Sequence, residues 1–126
     1  MRTLNNQAAI VGIGATEFSK NSGRSDLQLA AECVRNALQD CGLKPSDVDG
    51  MTGFTLDVSD DIEVARAVGI GDLKMFSRIP HGGGACVALL HRRPWPSRRV
   101  RATSSCATAP STAARASATA PASARA

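Results

Sequence analysis

The sequence is poor in the residue types that carry most metal chemistry and most aromatic recognition. Its 126 residues include no tyrosine, one tryptophan, three phenylalanines and two histidines. The four cysteines form no C-x-x-C pair and two histidines are few, which argues against a structural zinc site. The cysteines also lack the density of a disulfide-stabilised secreted domain. We therefore expect no bound metal and a reducing, cytoplasmic location.

Long apolar runs are absent as well. No stretch approaches the length that a membrane-spanning helix needs, and no basic segment followed by a long apolar one opens the chain. We expect no membrane span and no secretory signal.

Acidic residues are missing from residues 92–126, which also lack Leu, Ile, Phe, Met and Gly. This segment carries seven arginines, whereas residues 1–91 carry eight basic and eleven acidic residues. Because the segment has too little apolar surface to offset the entropy of ordering it, we expect a folded part at 1–91 and a disordered tail at 92–126. A basic tail that binds nucleic acid is the weaker alternative, since only Trp95 is available to stack on bases.

What is present in the first part is an alternation of apolar runs and amphipathic stretches. Residues 8–12 predict a strand buried on both faces. Residues 25–42 predict a helix that a capping box of Ser25 and Gln28 begins and that Gly42 ends.

The alternation continues along the chain. Residues 51–57 predict a second strand, residues 60–70 a second helix and residues 73–79 a third strand. An apolar stretch from about Ala85 predicts the start of a buried helix that crosses back over the sheet. The order β–α–β–α–β predicts an α/β fold with a doubly wound sheet and parallel pairing.

Two glycine-rich stretches have competing interpretations. GIGATE, at residues 12–17, resembles a dinucleotide-binding fingerprint, but Glu17 replaces its third glycine and the next helix begins near residue 26. A strand-ending turn is the better interpretation.

HGGG, at residues 81–84, also occurs in the oxyanion loops of esterases, whose G-x-S-x-G nucleophile motif this sequence lacks. Glycines beside a helix N-terminus still offer backbone amides to a thioester carbonyl or an oxyanion. The candidate binding loop is therefore His81, Gly82, Gly83 and Gly84.

Cys86 lies in the first turn of the helix predicted after this loop. A helix N-terminus can activate a thiol, but a free cysteine is more often a small buried core residue. Cys86 is therefore a weak catalytic candidate. Cys33 and Cys41 fall on the packing face of the first helix. The carboxylates near the second helix suggest a metal site by composition, but first-turn and capping roles explain them more simply; they are Asp57, Asp60, Asp61 and Glu63.

In order and spacing, these segments resemble the start of a thiolase-superfamily protein. The resemblance covers residues 7–91 and is carried by AAIVGIGATEFSKNSGRSDLQLAAECVRNALQDCGLKPSDVDGMTGFTLD, DDIEVARAVGI and IPHGGGACVALLH. It points to the bacterial lipid-transfer proteins, relatives of the sterol-carrier-protein-x thiolases that include steroid side-chain aldolases. Intact members are several times longer and contain two half-repeats. The resemblance thus implies an incomplete N-terminal half of a thiolase-like fold.

The resemblance also implies a function. Intact relatives bind acyl-CoA thioesters and make or break a C–C bond next to the thioester carbonyl, as acetyl-CoA acyltransferases or by retro-aldol cleavage of steroid side-chain CoA esters. A non-catalytic acyl-CoA- or lipid-binding protein is the alternative. The coenzyme A thioester is then substrate rather than cofactor, and the partners implied are a second copy of the chain and a small OB-fold protein.

The site residues that the resemblance implies differ from those of thiolases proper. A thiolase carries a nucleophilic cysteine at a fixed distance before an Ala-Leu pair, which here is Ala88-Leu89. Counting back places Gly82 or Gly83 at that position, and not Cys86. Because the acid and base residues of the family lie in the second half-repeat, we expect this chain to be inactive as written.

The tail departs from the family pattern, in which the buried helix continues as AAMAVATG-x-A-DVVV-x-YRAFN-x-RSG. The pattern reappears when the last base of each codon is read with the first two bases of the next. Trp95–Pro96 then gives Ala, Pro94–Trp95 allows Met, Arg99–Val100 allows Gly, residues 103–106 allow Val-Val-Val and residues 107–112 allow Tyr-Arg-Ala-Phe-Asn. Two positions between the Gly and the Asp do not fit, nor would Glu directly after the Asn. We therefore expect residues 92–126 to be out of frame from near Arg92.

Overall fold

The computed structural model describes residues 9–19, 21–54, 59–80, 100–107 and 113–120, and for the last two stretches only the backbone. The fold is α/β, as the sequence predicts. Its elements in chain order are β1 (Ala9–Ala15), α1 (Asp26–Cys41), a 3-10 turn at Pro45–Asp47, β2 (Val48–Phe54), α2 (Asp61–Val68), β3 (Met75–Ile79), β4 (Val100–Ala107) and β5 (Ala113–Ala120).

The five strands form one mixed sheet in the order β1-β5-β4-β2-β3. Strand β2 pairs parallel with β3 and with β4, whereas β5 runs antiparallel to both β4 and β1. The predicted parallel pairing is confirmed for β2 and β3. It is wrong for β1, whose neighbour is the antiparallel β5, because β4 and β5 lie between β1 and β2.

Strands β4 and β5 differ from the disorder expected for residues 92–126. Neither strand contains Gly or Pro, and each lies between two strands that pair with its backbone groups. The expected disorder followed from the small apolar surface of the segment itself. In the fold, the apolar face of α1 lies against both strands and supplies apolar surface that the segment lacks. The other residues of 92–126, and with them the rest of that expectation, lie outside the described residues.

Helix α1 begins and ends as its sequence predicts. The Gln28 amide donates to Ser25 Oγ and the Ser25 amide donates to Gln28 Oε1, which closes the capping box. Gly42 ends the helix with a φ of 69°, a left-handed conformation that favours glycine. The core consists of the buried apolar face of α1 packed against β2 and α2: Leu29, Ala30, Ala31, Cys33, Val34, Ala37, Leu38, Val48, Met51, Val64, Ala65, Val68 and Ile70.

Strand β1 is longer than predicted and is buried on one face only. Its glycines face α1, whereas Ile13 is 69% exposed. A Cβ atom on Gly12 would lie 2.4 Å from the Ala37 carbonyl oxygen, and one on Gly14 would lie 2.2 Å from the Cys33 carbonyl oxygen. The two glycines are therefore not a strand-ending turn. They allow the backbone of α1 to approach the strand.

The remaining elements match the prediction in type and shift in their bounds. Strand β2 starts at Val48, earlier than predicted, and is buried along nearly its whole length. Helix α2 ends at Gly69, whose φ is 88°. Within the described ranges, the helices lack the length and apolar character that crossing a membrane requires.

We expect Gly14→Ala to destabilise the fold by about 2 kcal/mol or more, because the new methyl group would overlap the backbone of α1. Gly71→Ala is the matched control, since a Cβ atom there meets nothing within 4 Å. Urea unfolding of both variants measures the difference. Equal free energies of unfolding would show that α1 does not pack this closely on β1.

Candidate functional site

The candidate site lies at the carboxyl ends of the parallel strands β2 and β3, the edge at which open α/β sheets bind ligands. Strand β2 ends at Phe54, strand β3 ends at Ile79, and α2 begins at Asp61 on the connection between them. The candidate loop, residues 81–84, follows the end of β3 closely in sequence. That loop and Cys86 lie outside the described residues.

An ion pair joins α2 to β3 at this edge. Arg78 Nε donates to Asp61 Oδ2 over 3.1 Å, and Arg78 Nη2 donates to the Ser59 carbonyl oxygen over 2.9 Å. Nη2 also lies 3.5 Å from Asp60 Oδ1. One guanidinium group thus connects the end of a strand, the residues before α2 and the first turn of that helix.

The Asp61 carboxylate is enclosed by the sheet. Asp61 is 4% exposed, and a Cβ atom on Gly53 of β2 would lie 2.1 Å from its Oδ1 atom. Burial raises the pKa of Asp61 because it disfavours the charged form; the hydrogen bond and the charge of Arg78 oppose the rise, and Asp60 adds to it. The Arg78 side chain is 34% exposed, so solvent partly screens the pair.

The Arg78 guanidinium is engaged within the fold at this edge. It bonds Asp61 through Nε and the Ser59 carbonyl oxygen through Nη2. Asp60 is the N-cap residue of α2, but its side chain makes no capping hydrogen bond, unlike the predicted cap.

The acidic residues do not form a metal site in the part of the chain that the structure describes. No group of three His, Cys, Asp or Glu side chains comes together there. The Asp61 carboxylate is paired with Arg78. Asp60 and Glu63 lie at the start of α2, and Asp57 falls outside the described residues.

The cysteines of α1 are packing residues, as predicted. Cys33 is fully buried and its Sγ donates to the Gly14 carbonyl oxygen over 3.1 Å, whereas the half-buried Cys41 packs against Gly12. Neither of these two cysteines is in a disulfide bond. The dinucleotide interpretation of residues 12–17 does not fit, because α1 begins only at Asp26 and the glycines face the middle of that helix.

Sequence reasoning missed the Asp61–Arg78 pair. One signal was present, an arginine near the end of the apolar stretch 73–79. The choice of its partner required knowing that β2 and β3 are adjacent and parallel, so that Gly53 and Arg78 stand side by side.

Comparison with known proteins finds close relatives of part of the chain, although no protein-family model matches it. The chain is 64% identical over 89 residues to the 17-hydroxy-3-oxo-4-pregnene-20-carboxyl-CoA lyase of Mycobacterium tuberculosis, a match that covers 70% of this chain and 23% of that protein. It is 65% identical over 85 residues to the steroid side-chain-cleaving aldolase of Thermomonospora curvata, covering 68% and 22%. The chain therefore spans less than a quarter of the length of the curated relatives it matches.

Two solved structures share the fold. The Ltp2-ChsH2(DUF35) aldolase matches with a TM-score of 0.76 and 50% identity, over 82% of this chain and 28% of that chain. The SCP2-thiolase-like protein type 1 of Mycobacterium smegmatis matches with a TM-score of 0.67 and 23% identity, over 80% and 24%, and shows the fold alone. Both structural matches cover more of this chain than residues 1–91 alone comprise, so the shared fold includes part of 92–126.

We expect Arg78→Met to destabilise the protein more than Asp61→Asn at pH 7, because only the first variant leaves a buried carboxylate unpaired. The expected loss is about 2 kcal/mol, reduced by the partial exposure of the arginine. The double variant should regain most of it. Urea unfolding measures all three; a double variant as unstable as Arg78→Met would contradict the pairing.

The pH dependence of stability identifies the group responsible. The pKa of Asp61 is raised above its ordinary 3.8. Its contribution to the free energy of unfolding is therefore fully present below pH 3.8 and is lost as the pH rises through the folded-state pKa. The loss caused by Arg78→Met should therefore shrink as the pH falls from neutral towards 3.8. In the Asp61→Asn background, the same substitution should cost the same at every pH; a pH-dependent cost there would point to another carboxylate.

Proposed function

The chain belongs to the thiolase superfamily, and from that premise we propose that it is part of an acyl-CoA aldolase of the steroid side-chain-cleaving type. The observation that carries the proposal is the identity of 64% and 65% with a CoA-ester lyase and a side-chain-cleaving aldolase. The α/β fold, with its open carboxyl edge at β2 and β3, supports the same assignment.

The proposed reaction is a retro-aldol cleavage of a steroid side-chain CoA ester. The β-hydroxyl group loses its proton, the bond between the α- and β-carbons breaks, and the electron pair passes to the thioester, whose enolate then takes up a proton. The products are a ketone and a shortened acyl-CoA. We assign the binding of the enolate oxygen to the backbone amides of residues 81–84, because fixed N–H donors stabilise such a charge where it develops.

This reaction requires no covalent acyl-enzyme. It therefore agrees with glycine, Gly82 or Gly83, at the position of the thiolase nucleophile. We assign Cys86 to packing, like Cys33. The alternatives are an acetyl-CoA acyltransferase and a non-catalytic acyl-CoA- or lipid-binding protein, and the missing nucleophile favours the second of these over the first.

We extend the proposal to partners and location. The intact protein is proposed to form a homodimer and to act with a small OB-fold protein; the name of the Ltp2-ChsH2(DUF35) aldolase, which joins two components, supports a partner. A cytoplasmic location agrees with Cys33 and Cys41, which form no disulfide bond.

We also propose that residues 92–126 are read out of frame from near Arg92. The curated matches span 89 and 85 residues, about the length of residues 7–91, and the composition changes where those residues end. The nucleotide sequence tests the proposal. Shifted by one base after the codon for His91, it should continue to encode the family pattern beyond the present end; an early stop codon in that frame would refute it.

We expect no cleavage of a 17-hydroxy steroid side-chain CoA ester by the purified 126-residue chain, because the proposed acid and base residues belong to the second half-repeat. Chromatography of the CoA products, with a full-length steroid side-chain aldolase as positive control, measures this. Turnover above the background without protein would overturn the assignment of the chain as an incomplete enzyme.

Cys86→Ala in a frame-restored, full-length protein should keep its cleavage activity within about a factor of three, since a packing role predicts only a small change. Intact-protein mass spectrometry should find no acylated cysteine during turnover. An acyl group on Cys86, lost together with activity in the variant, would instead identify a thiolase. If the restored protein binds the CoA ester without cleaving it, the binding-protein alternative is correct.

A further inference from the structure

Among the strands that the structure describes, β1 is the last on its side of the sheet, with β5 as its neighbour. In an antiparallel pair, alternate residues direct both backbone groups at the partner strand and the others direct both away from it. Such an outer edge attracts further strands when its backbone groups are unpaired. The exposed side chains of Ile10 and Ile13, at 53% and 69%, add apolar surface beside this edge.

Two side chains of α1 already bond backbone groups of β1. The Ile13 amide donates to Asp40 Oδ2 over 3.0 Å, and Asn36 Nδ2 donates to the Ala15 carbonyl oxygen over 3.2 Å. Ile13 and Ala15 are two residues apart, so in the alternation of the ladder their backbone groups point the same way, away from β5.

The match between helix and strand is geometric. Asn36 and Asp40 are one helical turn apart, a rise of about 6 Å, and alternate residues of a strand are about 7 Å apart. The helix runs opposite to the strand, since the earlier helical residue meets the later strand residue. The close approach permitted by Gly12 and Gly14 brings both side chains within reach.

We propose that Asn36 and Asp40 close the outer edge of β1 against strand addition by a second copy of the chain. The occupant they exclude is β1 of that copy, paired antiparallel across a two-fold axis. In that arrangement Ile13 of each copy would lie near the other, which would give the pairing an apolar contribution as well as backbone hydrogen bonds. The two side chains bond one amide and one carbonyl of those that the ladder would need.

The test compares self-association of the 126-residue chain and its variants by sedimentation over a concentration series. Asn36→Ala/Asp40→Ala should self-associate about tenfold more tightly than the unmodified chain, as expected when a few backbone hydrogen bonds form across the edge. Asp40→Asn should behave like the unmodified chain, because its amide oxygen can still accept from Ile13. The control Gln39→Ala changes an exposed residue of the same helix that makes neither bond.

Hydrogen exchange at the Ile13 amide gives a second measurement that does not require a stable dimer. The amide should be protected in the unmodified chain, exchange faster in Asp40→Ala at low concentration, and regain protection as the concentration rises. Unchanged self-association of the double variant, or a fast-exchanging Ile13 amide in the unmodified chain, would overturn the proposal. If Asp40→Asn associates as tightly as the double variant, charge repulsion rather than hydrogen bonding closes the edge, and the proposal is wrong in that form.

Discussion

The contact between the backbone of α1 and the two glycines of β1 fixes the position of most other elements. With carbonyl oxygens of the helix within 2.4 Å of where each Cβ atom would stand, no other residue fits at Gly12 or Gly14 without moving the helix. The apolar face of α1 then reaches beyond β1, over β5 and β4, to the core residues of β2 and α2. The same closeness places the thiol of Cys33 against a strand carbonyl and leaves it no access to solvent.

This contact also gives the glycines of β1 a packing role, so a phosphate-binding interpretation of that stretch is unnecessary. The candidate binding edge is therefore the carboxyl edge of β2 and β3. There the Arg78–Asp61 pair connects the end of β3 to the start of α2. A partly buried ion pair adds little net stability, but it constrains geometry because either partner alone is costly to bury.

Features set by local sequence were predictable, and features set by distant pairing were not. The capping box at Ser25 and the left-handed Gly42 follow from residues within one turn of the helix end. The parallel pairing of β2 and β3 follows from the short crossover between them. Two features depend on which strands become neighbours, which the periodicity of the sequence does not indicate. They are the insertion of β4 and β5 between β1 and β2 and the pairing of Asp61 with Arg78. Composition also failed to predict the strands at residues 100–107 and 113–120, since it accounts for side chains and not for backbone hydrogen bonds.

Backbone pairing explains how strands of such composition occupy the middle of the sheet. The ladder between β4 and β2 consists of backbone N–H and C=O groups, which every residue except proline supplies in full, so pairing is nearly independent of sequence. The two faces of a strand are not independent of sequence, because alternate side chains must suit the layer they meet. The composition of residues 100–107 and 113–120 therefore leaves the strand order of the sheet intact, because that order depends on backbone pairing.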